Sequence, residues 1–142
     1  MTSMRVQSTA VAIEGRGVML TGAPGTGKSE LALRLIADGA ALIGDDVVEI
    51  AINEGRLTGS SVACQTGRLF ISGIGLVDVA AAAGPIPLSI CVRLDAACLR
   101  SDRLANLDAW EASPGHWLPR ITLDCGPAAP EKVRLALRLW GH

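Results

Sequence analysis

The chain has 142 residues, 49% of them hydrophobic and 19% charged, which suits one globular domain over 1–142 and excludes a disordered polypeptide. Thirteen basic residues against fourteen acidic ones give a formal net charge of −1, and there is no tyrosine and one phenylalanine. That balance argues against a general binder of phosphate backbones and against a stacking platform for single-stranded nucleic acid.

Cys64, Cys91, Cys98 and Cys125 form no C-x-x-C pair, and the two histidines, His116 and His142, are not spaced as metal ligands. Zinc is therefore not expected, and the cysteines read as small hydrophobes in a reducing compartment, which points to the cytoplasm. The segment Met1 to Glu14 lacks the basic start and apolar block of a signal peptide, and no run approaches the ~18 apolar residues of a membrane span.

In chain order, Thr9–Ile13 is β-prone and ends in the Glu14-Gly15-Arg16-Gly17 turn, after which Val18–Leu20 suits a buried strand. A glycine-rich loop leads into a helix expected over Ser29–Asp38. Leu31, Ala32, Leu35 and Ile36 form its apolar stripe, and Gly39 stands where a C-terminal cap belongs. Ala40–Ile43 and Val47–Ile52 read as strands on either side of Gly44-Asp45-Asp46, and Asn53-Glu54-Gly55 reads as a turn. Arg56 to Gly75 reads as short strands and loops, Val77–Ala83 as one or two helical turns, and Gly84-Pro85-Ile86-Pro87 as a turn. Leu88–Leu94 suits a buried strand, Ser101–Trp117 reads as polar and irregular, and Ile121–Leu123 as a last strand. Pro130 opens a terminal helix with Val133, Leu137 and Trp140 on one face.

Gly22-Ala23-Pro24-Gly25-Thr26-Gly27-Lys28-Ser29 matches G-x-x-x-x-G-K-[ST] between a strand and a helix, the context in which that motif cradles phosphate. The glycines let successive N–H groups turn inward, and the helix that follows aims its positive end at the same point. Lys28 is placed to reach the β- and γ-phosphates of a nucleotide and the Ser29 hydroxyl to hold Mg²⁺.

Asp45 and Asp46 follow a strand that can return beside the first one by a right-handed crossover, which would carry carboxylates toward the phosphates. Adjacent strand residues point to opposite faces, so one of the two should face the γ-phosphate. A Gly-Asp-Asp turn with solvated carboxylates is the alternative. Arg68, Arg93, Arg100 and Arg103 could complete an anion site but read first as solvated surface.

These residues resemble a family. The run Gly22 to Ser29, then Glu30-Leu31-Ala32-Leu33-Arg34-Leu35-Ile36, then Gly39-Ala40-Ala41-Leu42-Ile43-Gly44-Asp45-Asp46 looks like the C-terminal kinase domain of the HPr kinase/phosphorylases, in the short form found in alphaproteobacteria. Gly67-Arg68-Leu69-Phe70-Ile71-Ser72-Gly73-Ile74-Gly75 resembles that family's G-x-x-E-x-R-G-x-G signature. The tail, Leu118-Pro119-Arg120-Ile121 to Arg134-Leu135-Ala136-Leu137, has its look.

The resemblance implies an α/β P-loop kinase fold akin to the kinase part of phosphoenolpyruvate carboxykinase, with ATP and Mg²⁺ as ligands. It implies transfer of the γ-phosphoryl to a serine of the phosphocarrier HPr, in regulation of carbon metabolism, and a hexamer in full-length members. It assigns nucleotide binding to Gly22, Ala23, Pro24, Gly25, Thr26, Gly27, Lys28, Ser29 and Glu30, and the metal to Ser29 and Asp46. Asp45 becomes the base, with Lys28 beside it in catalysis.

Three positions depart from the family's pattern: its signature Glu falls on Phe70, its Arg on Ser72, and a His near the first strand, fifteen residues before Gly22, on Gln7. Phe supplies no oxygen ligand, Ser no guanidinium, and Gln no group that titrates near neutrality. A second reading follows, a catalytically weakened ATP-binding module that senses nucleotide for a partner. A third is a kinase for a small metabolite hydroxyl.

Overall fold

The structure, a computed structural model, describes residues 3–95 and 107–141. Cys98, Arg100, Arg103 and the start of the segment read as irregular lie outside the described residues.

Three strands lead to the first helix: β1 (Ser3–Gln7), β2 (Thr9–Ile13) and β3 (Arg16–Thr21), followed by α1 (Lys28–Ala37). Five more precede the longest strand: β4 (Ala41–Gly44), β5 (Val47–Asn53), β6 (Arg56–Ser61), β7 (Arg68–Ile71) and β8 (Gly75–Asp78), then β9 (Ile86–Leu94). The chain continues with β10 (Leu107–Ser113), β11 (His116–Leu123) and α2 (Ala129–Trp140).

One mixed sheet runs in the order β1-β5-β6-β9-β3-β2-β4, with the β10-β11 hairpin joined to β9 through β11, and β7 and β8 pair separately. β9 is the branch point. Its first residues, Ile86 and Pro87, pair with β6, and from Cys91 onward the strand runs parallel to β11, while β3 lies parallel along its other edge. Between Leu88 and Ile90 it carries one residue more than β3 does, so Leu88 faces one core and Ile90 the other.

The strand period sorts the apolar residues onto the two faces. Val11, Val18, Leu20, Ile90 and Val92 pack under both helices with Leu31, Leu35, Val133 and Leu137, and the β7 residues Leu69 and Ile71 close this core. Ala10, Ala12, Met19 and Cys91 face the other way, against Val48, Ile50, Leu57 and Leu118. Each fully buried leucine contributes about 1.5–3 kcal/mol. Among the described residues no helix is long and apolar enough to cross a membrane.

Helix α1 ends as the sequence indicates. Gly39, at φ 110°, donates to the Ile36 carbonyl and Ala40 to that of Leu35, the paired bonds of a Schellman motif.

Four expectations are corrected. Val77–Ala83 is not helical: Val77 belongs to β8, and Val77 and Val79 pack on the first core. The chain then runs along β4, with Leu42 donating to the Ala80 carbonyl and Ala82 to that of Leu42, because the outer edge of β4 offers backbone groups that must be paired. Ile86 and Pro87 open β9 rather than close a turn; proline is tolerated at the start of a strand. The described part of the segment read as irregular forms the β10-β11 hairpin, turning at Pro114-Gly115 with Gly115 at φ 78°. Finally, β4 does not return beside β3, since β2 lies between them and pairs antiparallel with both.

Candidate functional site

The loop between β3 and α1 is shaped by backbone that only glycine adopts freely. Gly22, Gly25 and Gly27 have φ of 142°, 82° and 95°. A Cβ on Gly22 would lie 2.6 Å from the Leu94 carbonyl oxygen, and one on Gly27 would lie 2.8 Å from the Cys125 sulfur. The Thr26 hydroxyl and N–H both donate to the Ala23 carbonyl, at 2.8 and 3.3 Å, closing a tight turn over Pro24 and Gly25.

Gly27 caps α1 with no side-chain acceptor, so the N–H groups of the first turn are not claimed by a cap. Lys28 folds back across the loop, its ammonium donating to the carbonyls of Gly22 at 2.9 Å and Ala23 at 3.2 Å. Glu30 stands exposed in the first turn.

Opposite this loop sits Asp45. Its Oδ1 accepts from the Ser29 hydroxyl at 3.0 Å and from the Thr9 hydroxyl at 2.9 Å, while Oδ2 accepts from the Phe70 backbone N–H at 3.0 Å. Three segments thus converge on one carboxylate. A cleft of about 430 Å³ opens here, lined by Gln7, Lys28, Ser29, Asp45, Asp46 and Phe70 among others. An adjoining cleft of about 470 Å³ includes Gly25, Glu30, Phe70 and Ser72. A larger cavity, about 680 Å³, lies at the other end of α1, between Asp38, the Glu14–Arg16 turn and α2, away from the loop.

The structure brings together the loop, Lys28, Ser29, Asp45 and Asp46. The strand alternation expected to turn one of the two aspartates toward the γ-phosphate does not apply here. β4 ends at Gly44, and Asp46 adopts a left-handed φ of 68°, so strand alternation does not govern the pair and both line the cavity. Gln7, Phe70 and Ser72, the three departures, also stand at these clefts. Arg68 lies 4.0 Å from Asp78 and Arg93 donates to the Thr122 hydroxyl, so both have other engagements.

Sequence reasoning missed Ser8 and Thr9. Both are buried; the Ser8 hydroxyl donates to the Leu20 carbonyl and its N–H to that of Asp46, and Thr9 reaches Asp45. Their signal is slight: two hydroxyl residues at the head of an apolar strand.

The family model described as HPr Serine kinase C-terminal domain matches residues 1–95, more than half of the chain, and the chain belongs to that family. The HPr kinase/phosphorylase of Clostridium botulinum (strain Eklund 17B / Type B) is 45% identical over 75 residues, which are 53% of this chain and 25% of that protein. The Clostridium acetobutylicum HPr kinase/phosphorylase is 42% identical over 80 residues, 56% of this chain and 26% of that protein. The matched part therefore spans about a quarter of the length of these curated relatives. The solved structure of the Hpr(Ser) kinase/phosphatase from Coxiella burnetii superposes with a TM-score of 0.83 at 26% identity, covering 95% of this chain and 88% of that one. The resemblance read from Gly22 to Asp46 and the α/β architecture are borne out.

Proposed function

We propose that this member of the HPr serine kinase C-terminal domain family binds ATP and Mg²⁺ and transfers the γ-phosphoryl to a serine of an HPr-type phosphocarrier. One observation carries the reading: the hydroxyl of Ser29, at the head of α1, meets the carboxylate of Asp45 at 3.0 Å beside the glycine-rich loop. A hydroxyl that donates to a carboxylate keeps its lone pairs for a cation. With the Asp46 carboxylate in the same cleft and Asp45 orienting the hydroxyl, Ser29 and Asp46 offer hard oxygens of the kind Mg²⁺ takes.

In this reading the N–H groups left free along the loop from Gly22 to Ser29, where Pro24 has none and Thr26 gives its own to Ala23, surround the phosphates with Glu30 alongside, and Lys28 exchanges its two carbonyl partners for phosphate oxygens. Ser29 and Asp46 would hold the metal, which would supply positive charge beside the γ-phosphoryl. Asp45, held in orientation by three donors, accepts the proton of the attacking serine.

A protein acceptor suits the surface better than a small metabolite does. Phe70, Leu76 and Ile74 are 51%, 68% and 74% exposed on the β7-β8 hairpin that borders the cleft. The names of the relatives supply HPr as that acceptor. Cytoplasmic location and homo-oligomeric assembly belong to the same reading.

Incubation with ATP, Mg²⁺ and purified HPr is expected to yield phosphoserine, abolished by Asp45→Asn. A protein that binds ATP yet transfers nothing overturns the kinase reading in favour of a nucleotide sensor. The presence of Phe70 and Gln7 in the cleft itself, where the family carries charge or a titratable ring, is what favours that second reading. Activity gained only in the Phe70→Glu, Ser72→Arg double variant would establish it.

A further inference from the structure

Thr9 is 1% exposed on a strand whose other residues, Ala10, Val11, Ala12 and Ile13, are apolar. A buried hydroxyl costs stability unless it is bonded, and valine would fill the same volume without that cost. This hydroxyl points at Oδ1 of Asp45, 2.9 Å away, and shares that oxygen with Ser29. Its neighbour Ser8 fixes the adjacent main chain by donating its N–H to the Asp46 carbonyl at 2.9 Å. The β1-β2 junction therefore grips both aspartates, one through its side chain and the other through its backbone.

We propose that Thr9 is a positioning residue. By sharing Oδ1 with Ser29 while the Phe70 N–H holds Oδ2, it completes the three donors that fix the orientation of the Asp45 carboxylate. The Ser29 hydrogen is then committed to Asp45, and the Ser29 lone pairs stay turned toward the cation side. Without Thr9 the carboxylate gains a second orientation, the Ser29 hydroxyl gains others, and the metal-linked part of nucleotide affinity falls. The proposal rests on the nucleotide-binding reading and adds to it a residue remote from the loop in sequence.

The experiment is calorimetry of ADP binding with and without Mg²⁺, the quantity read being the ratio of the two affinities. Thr9→Val, which keeps shape and removes the hydroxyl, is expected to lower that ratio about tenfold, the scale of losses when a group supporting a metal ligand is removed. Thr9→Ser, which keeps the hydroxyl, is expected to restore most of it. Where Thr9→Val does not fold, Thr9→Ala carries the same expectation. An unchanged ratio in the hydroxyl-free variant overturns the proposal. So does an equal loss in Thr9→Ser, which would show that the methyl matters and the hydroxyl does not. A wild-type protein that binds no ADP under either condition defeats the nucleotide reading itself, and this proposal with it.

Discussion

The thiol of Cys125 donates to the carbonyl of Gly27 at 3.7 Å, joining the segment ahead of α2 to the last glycine of the loop across 98 residues of sequence. The sulfur also occupies the space a side chain on Gly27 would need, so the two positions constrain each other.

Gly27→Ala is accordingly expected to cost about 1–3 kcal/mol from its left-handed backbone alone, with the sulfur contact added. Guanidinium unfolding should show the lower midpoint. Combining it with Cys125→Ala should recover the contact share and leave the backbone share, so a complete rescue would contradict the assignment of strain to φ.

Nucleotide at a hundred times its dissociation constant stabilises a fold by about 2.7 kcal/mol, a melting shift on the order of 5–10 °C at this chain length. Lys28→Ala should remove most of that shift while leaving the melting temperature without ligand nearly unchanged, because the lysine bonds only exposed loop carbonyls. An undiminished shift in the variant would show that the ammonium takes no part in binding.

Burial pushes the Cys91 thiol up to about 11, with the Thr21 hydroxyl, 3.6 Å away, acting in the opposite direction. The raised value means that the folded protein keeps this proton longer than the unfolded chain does. The contribution to stability is therefore full below the ordinary thiol range and is lost as pH rises through it toward 11. Cys91→Ala should flatten the alkaline fall in unfolding midpoint. At pH 8, alkylation should label exposed Cys64 readily and Cys91 only on unfolding, as peptide mass spectrometry would show.

Arg120 holds the Asp108 carboxylate with two bonds, at 2.9 and 2.6 Å, and these keep it below the usual carboxylate range. A lowered acid stabilises above its unfolded value, and that contribution is lost as pH falls through the folded one. Asp108 is 52% exposed, so the pair is worth under about 1 kcal/mol. Asp108→Asn should destabilise by that much at neutral pH and converge with the wild type in acid, and urea midpoints across the acid range would reveal any other course.

Local chemistry made part of this molecule legible without coordinates. The spacing of Gly22, Gly27, Lys28 and Ser29 needs no partner elsewhere to announce a turn that opens a helix, and Gly39 ends that helix by the same kind of rule. Val77–Ala83 misled because its alanines favour a helix in isolation, whereas the edge of β4 claims its backbone. The β10-β11 hairpin was obscured because strand pairing, not apolar alternation, holds the half-exposed β10 in place.

The amino-acid order alone determined the loop, both helices, the aliphatic core and the nearness of the acidic pair to the loop in sequence, since each depends on spacings of a few residues. Folding in three dimensions decided that β2 stands between β3 and β4, and that Thr9, Ser29 and the amide of Phe70 meet on the Asp45 carboxylate. Those contacts join segments as much as 36 residues apart, and hydrogen bonds of that reach are set by sheet order and register, which no short window of residues encodes.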